Sequence, residues 1–380
     1  MGLKRTALFA AHQKLGARLV EFGGWEMPVQ YSSIVDEHLA VRKAAGLFDI
    51  SHMGELRLTG PAALAFLNHT LTNDLRKLPV GLGQYTLMCN DRGGVMDDLY
   101  AYRTKEQEFL LVVNASRIGE DVTWLENQLA VWPQRDQVGF ENVSEQFGAL
   151  ALQGPRAAEF IDACFPGPSM RGAQIARASD LTKNQVGVFR FGGHDICLAR
   201  TGYTGEDGFE ILAPVEIIEA VWNSILSAGH AYCLQPAGLG ARDTLRTEVC
   251  YPLYGHELDE KTTPIEAGLG SFVALEKGGF VGRAVLAEQK TKGTEKKCVA
   301  FKLTGKAAPP RPQYPIWSTG SNPARVGEVA SGTQSPSLGV GIGMGFVPPS
   351  LAKPGTVIEI EVRGNRAAAV IVPKPIYRKS

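Results

Sequence analysis

Between Gln84-Tyr85-Thr86-Leu87-Met88-Cys89 and Val95-Met96-Asp97-Asp98-Leu99-Tyr100 stands Asn90-Asp91-Arg92-Gly93-Gly94. Both flanks read as strands and the middle is turn chemistry, so the stretch predicts a β-hairpin. The hairpin commits this part of the chain to a sheet and delivers two adjacent carboxylates just beyond a glycine turn. Side chains alternate faces along a strand, so Asp97 and Asp98 point opposite ways. One faces solvent and the other the interior or a pocket. An inward carboxylate either holds a structural ion pair or handles a proton or a cationic nitrogen.

The chain has 380 residues, which predicts two or three domains rather than one core. It carries 39 Lys plus Arg against 39 Asp plus Glu, so no global field draws it to nucleic acid or an anionic membrane. No apolar run follows Met1-Gly2-Leu3-Lys4-Arg5-Thr6, and no stretch approaches the ~20 apolar residues of a membrane span. Cys89, Cys164, Cys197, Cys233, Cys250 and Cys298 are scattered without a C-x-x-C. That argues against a zinc site, an iron–sulfur cluster or a disulfide framework. The expectation is a cytoplasmic protein with free thiols and no metal.

Strands interleave with helices along the first three quarters of the chain. Residues 10–30 hold aromatic residues around Gly23-Gly24 and predict a tight packed loop. A helix is expected over Ile34–Arg42, a strand over Gly54–Thr59, and a helix after Pro61 with Leu64, Leu67 and Leu71 on one side. Phe109–Ala115 predicts a buried strand ending at Asn114, followed by a helix through Val122, Leu125 and Leu129. His52 has no second ligand at metal spacing and reads as a hydrogen-bonded structural histidine. The architecture is therefore α+β or α/β, with no repeat of fixed period.

Thr201-Gly202-Tyr203-Thr204-Gly205-Glu206-Asp207-Gly208 has spaced glycines but neither G-x-G-x-x-G nor Lys-Ser/Thr, so it reads as a tight turn, not a phosphate cradle. Glu210, between Phe209 and Ile211 on a strand, needs a partner if it points inward. Arg242 and Arg246 share a helix face, either paired to Asp243 or Glu248 or, for Arg242, reaching a carbonyl-rich ligand. Residues 288–297 turn highly charged and read as a surface connection between domains. Beyond it short strands dominate, and the alternating glycines of Gly339–Gly345 predict a strand with one bare face, so the tail is an all-β barrel or sandwich.

Taken in order, several stretches resemble the aminomethyltransferase family of the glycine cleavage system, the T-proteins. They are His12-x-x-Leu15-Gly16-Ala17, Phe22-x-Gly24-Trp25-x-Met27-Pro28, Glu37-His38-x-Ala40-Val41-Arg42 and Phe48-Asp49-Ile50-Ser51-His52-Met53. Gly93-Gly94-Val95-x-Asp97-Asp98, Gly202-Tyr203-Thr204-Gly205-Glu206, Gly240-Ala241-Arg242-Asp243-x-Leu245-Arg246 and Ser331-Gly332-Thr333-x-Ser335-Pro336-Ser337-Leu338 continue the set. The resemblance implies a three-lobed, folate-binding α+β fold: two interwoven mixed α/β lobes over residues 1–286 and an all-β barrel over 298–380. It implies transfer of the one-carbon unit of an aminomethyl group, carried on the dihydrolipoyl arm of the H-protein, to tetrahydrofolate in glycine catabolism. The products are methylenetetrahydrofolate, ammonia and the dihydrolipoyl carrier.

By the same resemblance Asp97 is the acid beside the reacting folate nitrogens, with Asp98 its structural partner on the other face. Glu210 and Arg242 match pterin and folate contacts. Met53, Tyr85, Val113, Asn114, Tyr203 and Tyr251 match residues lining the family's folate channel, and Arg378 closes it from the tail. The expected partners are the lipoylated H-protein and the other glycine cleavage components, with a monomer as default. Gly270-Ser271-Phe272 departs from the family by lacking a tryptophan found in several members. The alternatives are a stand-alone folate-dependent demethylase and a non-catalytic folate-binding protein of the same superfamily. The first normally needs a fused flavin domain. A third relative, which assists iron–sulfur assembly, carries a cysteine signature where this chain has Lys277-Gly278-Gly279-Phe280-Val281-Gly282-Arg283.

Overall fold

The computed structural model describes residues 2–379. The chain divides into two compact units. The first joins the residues up to Thr86 with Asp98–Arg242, and the second joins Leu87–Asp97 with the described residues from Asp243 onward. The strands Leu82–Cys89 and Val95–Lys105 and the helix Leu239–Glu248 each run from one unit into the other.

Two sheets organise the first unit. The larger has seven strands in the order Arg171–Gly172, Val186–Phe191, His194–Ala199, Gly208–Pro214, Phe147–Gln153, Ala45–Asp49 and Leu234–Pro236. All its pairs are antiparallel except the last. The helices Ala157–Cys164 and Ile218–Gly229 cover it, burying Phe160, Ile161, Val221, Trp222 and Ile225 against Leu150, Leu152, Phe209 and Ile211. The five-stranded sheet runs Leu82–Cys89, Val95–Lys105, Glu108–Val113, Gly54–Thr59 and Gly139–Asn142.

Helix Ile34–Lys43 starts where the sequence dictates: Ser33 Oγ accepts from the Asp36 N–H at 3.1 Å, with Asp36 and Glu37 in the first turn. Glu37 is wholly buried and spends both carboxylate oxygens on backbone donors. Oε1 accepts from the N–H groups of Tyr31 (2.6 Å) and Ser32 (2.9 Å), and Oε2 from Gly238 (2.8 Å). The contact with Gly238 anchors the entry to helix Leu239–Glu248. Gly238 and Gly240 lack side chains because a Cβ would lie 2.4 Å from Val29 O and 2.6 Å from Ile34.

In the second unit, six strands (Lys297–Leu303, Gly341–Val347, Arg325–Gln334, Pro315–Ser318, Val357–Val362 and Asn365–Val372) close into a barrel. The bare face expected of the glycine strand is present. A Cβ on Gly343 would sit 2.5 Å from the Phe301 ring, and one on Gly345 2.6 Å from Glu328 O.

The local expectations differ from the structure in three places. Residues 10–30 form a helix, Phe9–Lys14, and a hairpin of Arg18–Phe22 with Trp25–Gln30, not a packed loop. Gly23 and Gly24, at φ +59° and +85°, are its two-residue turn, a signal the aromatic residues masked. The charged stretch from 288 begins as the end of helix Arg283–Lys292, where Lys290 and Lys292 favour the helix C-terminus. Strand Pro315–Ser318 had no expected counterpart, being too short for a period to register.

On strand Gly54–Thr59, Glu55 is 1% exposed with no hydrogen-bond partner for Oε2, and burial holds its acid well above the ordinary glutamate range. Its folded-state pKa is raised, so stability is full below the ordinary glutamate pKa. It is lost as pH rises towards the folded value, because only the unfolded chain releases the proton. Glu55→Gln is therefore expected to melt above the wild type at pH 8, with the difference vanishing near pH 4. Parallel melting curves at all pH values would remove this account.

Candidate active site

The strand Val95–Lys105 carries the two adjacent acids read from the sequence, one on each face. Asp97 is wholly buried, on the side of the strand shared with Leu99 and Ala101, which are themselves buried. Asp98 is half-buried on the opposite side, with Tyr100 and Tyr102 following at every second position. Asp98 Oδ2 accepts from Tyr85 Oη at 2.8 Å and Oδ1 from Asn114 Nδ2 at 2.9 Å. Asn114 also donates to the Asp98 carbonyl at 3.0 Å, which ties the side chain to its own strand.

Two residues further along, the Tyr100 and Tyr102 rings stack with centroids 5.1 Å apart. Gly83 makes room, since a Cβ there would meet the Tyr102 ring at 2.4 Å. Tyr102 reaches the larger sheet. Its hydroxyl lies 2.9 Å from Thr201 Oγ1 and donates to Glu210 Oε2 at 3.3 Å. Thr201 Oγ1 donates to the same oxygen at 2.5 Å. Burial, reinforced by the Glu210 charge, keeps the Tyr102 phenol protonated far above its ordinary range. Glu210 therefore has two neutral donors on one oxygen, while Oε1 has no protein partner among the described residues.

Arg242 lies over the Tyr203 ring, its guanidinium carbon 4.7 Å from the centroid. The turn bearing Tyr203 is held by Arg42, which donates to Thr204 O at 2.8 Å and pairs with Glu206 at 3.0 Å. The side chains of this ion pair are 4% and 1% exposed. Arg246, four residues on from Arg242, is committed elsewhere, to Asp243 at 2.6 Å and Glu257 at 3.2 Å.

The structure thus brings Tyr85 and Asn114 to Asp98, and Tyr203 to Arg242, within the first unit. Glu210 joins through Tyr102 and Thr201, neither of which the sequence reading singled out. The alternation Asp98-x-Tyr100-x-Tyr102 was the available signal. Met53 is half-buried at the end of the Ile50–Met53 turn. Val113 is wholly buried, and a Cβ on Gly54 of the neighbouring strand would meet its side chain at 2.8 Å, so it packs as core on the face away from Asn114. Tyr251 and Arg378 belong to the second unit, Tyr251 half-buried and Arg378 exposed. No group of three or more His, Cys, Asp or Glu able to hold a metal exists among the described residues, and no helix among them is long and apolar enough to cross a membrane.

Residues 8–277 match the GCVT N-terminal domain family, and residues 296–378 match the glycine cleavage T-protein C-terminal barrel domain family. The chain is 43% identical over 380 residues to an aminomethyltransferase of Desulfitobacterium hafniense, covering 99% of both proteins. It is 44% identical over 385 residues to an aminomethyltransferase of Geobacillus kaustophilus, covering 100% of both. Among solved structures it superposes on the glycine cleavage system aminomethyltransferase T of Bartonella henselae with a TM-score of 0.89 and 34% identity, over 99% of this chain and 98% of that one.

His52 gives the site a pH signature. It is 1% exposed and packs edge-on to Phe22 with centroids 5.6 Å apart, and its Nδ1 has no hydrogen-bond partner, so it is not the hydrogen-bonded histidine expected. Burial first, and then the Arg242 charge, push its pKa down to about 4. The unfolded chain binds a proton near the ordinary histidine value of ~6.5 and the folded one does not, so stability falls as pH drops from there towards the folded value. His52→Phe is expected to lose less melting temperature than the wild type between pH 6.5 and 4. An equal loss in both proteins would mean that His52 does not carry this acid sensitivity.

Proposed function

The chain belongs to the glycine cleavage T-protein family of aminomethyltransferases, and on that premise we propose that it releases ammonia from an aminomethylated lipoyl carrier and passes the one-carbon unit to tetrahydrofolate. The carrier is the H-protein, and the enzyme acts in the cytoplasm as a monomer alongside the other glycine cleavage components. Tetrahydrofolate is a co-substrate here, and no metal enters the scheme.

The observation that carries the reading is the single polar face running from Asp98 to Glu210. Asp98 and Tyr102 stand four steps apart on the strand, roughly 13 Å at ~3.3 Å per residue. Glu210 Oε1 is a spare acceptor, suited to the amino-pyrimidine edge of the pterin, and Arg242 over Tyr203 supplies a fork for carbonyl or carboxylate oxygens. Asn114 stands with these groups in the first unit through its hydrogen bonds to Asp98.

Asp98 does the chemistry in this reading. The family resemblance gives that role to Asp97, but Asp97 is wholly buried whereas Asp98 is half-buried and oriented by Tyr85 and Asn114. Tyr85 and Asn114 hold the carboxylate in one orientation for the reacting centre. It orients the folate nitrogen, accepts its proton as the new carbon–nitrogen bond forms, and stabilises the developing iminium. Asp97 on the buried side supports the strand.

Asp98→Asn is expected to lower kcat by on the order of 10²–10⁴, the usual worth of a positioned acid or base, with its melting temperature unchanged. Asp97→Asn is expected to act mainly on stability. The reverse pattern would return the catalytic role to Asp97. Tetrahydrofolate at a hundredfold excess over its Kd should add ~2.7 kcal/mol of apparent stability. That corresponds to several degrees at ~2–4 °C per kcal/mol. No shift at saturation would remove folate from the scheme, and a shift without turnover would leave a folate-binding protein that does no chemistry.

A further inference from the structure

Gln153 is the last residue of strand Phe147–Gln153, wholly buried, and has no part in the chemistry described above. Its amide nonetheless grips the turn that carries Tyr203 on both sides of that residue. Nε2 donates to Thr201 O at 3.0 Å and to Leu152 O at 3.2 Å, and Oε1 accepts from Thr204 Oγ1 at 2.9 Å. The orientation of the amide is fixed by these partners, because a flip would set its oxygen against two carbonyl oxygens.

The glycines around it are shaped to the same contact. A Cβ on Gly202 would lie 1.9 Å from Gln153 Oε1, and one on Gly208 2.6 Å from Nε2. The turn therefore lies directly on the amide, with no room between. Thr201, held through its carbonyl, uses its hydroxyl to donate to Glu210. Thr204, held through its hydroxyl, uses its carbonyl to accept from Arg42. One buried amide thus sets both where Tyr203 stands beneath Arg242 and where the Glu210 carboxylate is aimed.

We propose that Gln153 is a positioning residue for the ligand site: without touching the ligand, its amide fixes the spacing between the Tyr203–Arg242 pair and Glu210. The inference rests on the folate reading above. Gln153 acts on the groups that bind the pterin and not on Asp98, Tyr85 or Asn114. Its loss therefore weakens folate binding and leaves the chemical step intact.

The test is Gln153→Glu. It keeps the shape and the acceptor for Thr204, but removes the donor to Thr201 and sets a carboxylate oxygen against that carbonyl. Calorimetric titration with tetrahydrofolate should show Kd raised about tenfold, the size of one lost buried hydrogen bond. KM for tetrahydrofolate should follow, while kcat measured with the aminomethylated lipoyl carrier stays within about threefold of wild type. A merely structural role would reduce the amount of folded enzyme and leave Kd and KM alone.

Gly202→Ala provides a second route if the first variant does not fold, since its methyl displaces the amide from Thr201, Leu152 and Thr204. The same rise in Kd is expected. Unchanged Kd and KM in the folded variants overturn the proposal while the folate reading stands. A wild type that does not bind tetrahydrofolate overturns both.

Discussion

The pleat of the strand Val95–Lys105 is the constraint on which the placement of the acidic pair and of Tyr102 depends. Because the period is two, Asp98, Tyr100 and Tyr102 share a face, and Asp97 falls on the other beside Leu99 and Ala101. A register slip of one residue would bury Asp98, expose Asp97 and withdraw Tyr102 from Thr201 and Glu210. The turn before the strand resists that slip. Asn90 exchanges hydrogen bonds with Gly94 (its N–H to Gly94 O at 2.9 Å, its Oδ1 from Gly94 N at 3.1 Å), and Gly93 takes the left-handed backbone at φ +77°. Gly94 is bare because a Cβ would lie on Glu260 O.

Around that strand the protein invests heavily in buried polar groups. Asp49 is 3% exposed, with His12 at 2.9 Å and Thr6 at 2.7 Å, and His12 continues to Tyr31 at 2.9 Å. Burial opposes the charge on Asp49, but the hydrogen bonds from His12, Ser51 and Thr6 outweigh it and hold the acid below its ordinary range. Such networks add little net stability over a packed apolar core, and breaking one member is costly. Their effect is to admit one arrangement only. Arg42, Glu37 and Gln153 apply that logic to two segments, the Tyr203 turn and the Arg242 helix.

How much of this was legible in the sequence follows from the range of each interaction. The hairpin at Asn90–Gly94, the helix begun by Ser33 and the glycine strand of the barrel are encoded within a few residues, and each was readable. The acidic pair was readable as a pair, since alternation requires opposite faces. Which member is wholly buried was not, because that depends on what the sheet packs against. Tyr102, Thr201 and Glu210 meet across 99 and 9 residues, and nothing local to Tyr102 announces its partners. His52 failed as a hydrogen-bonded histidine for the same reason. Its neighbours Phe22 and Arg242 come from distant parts of the chain.

The acids sort by the company they keep. Glu206 and Glu257 are buried with arginines, so their charge is neutralised and they serve as rivets. Glu37 and Glu248 are wholly buried with every oxygen taken by backbone N–H or serine donors, so they organise loops and meet no ligand. Asp98 and Glu210 differ from both groups. They are half-buried, with Tyr85 and Asn114 donating to Asp98 and Tyr102 and Thr201 donating to Glu210. Neutral donors aim a carboxylate without cancelling its field, and partial burial strengthens that field while leaving a path to it. The role proposed for Asp98, acting on a developing cation, calls for a carboxylate that is oriented and only partly buried.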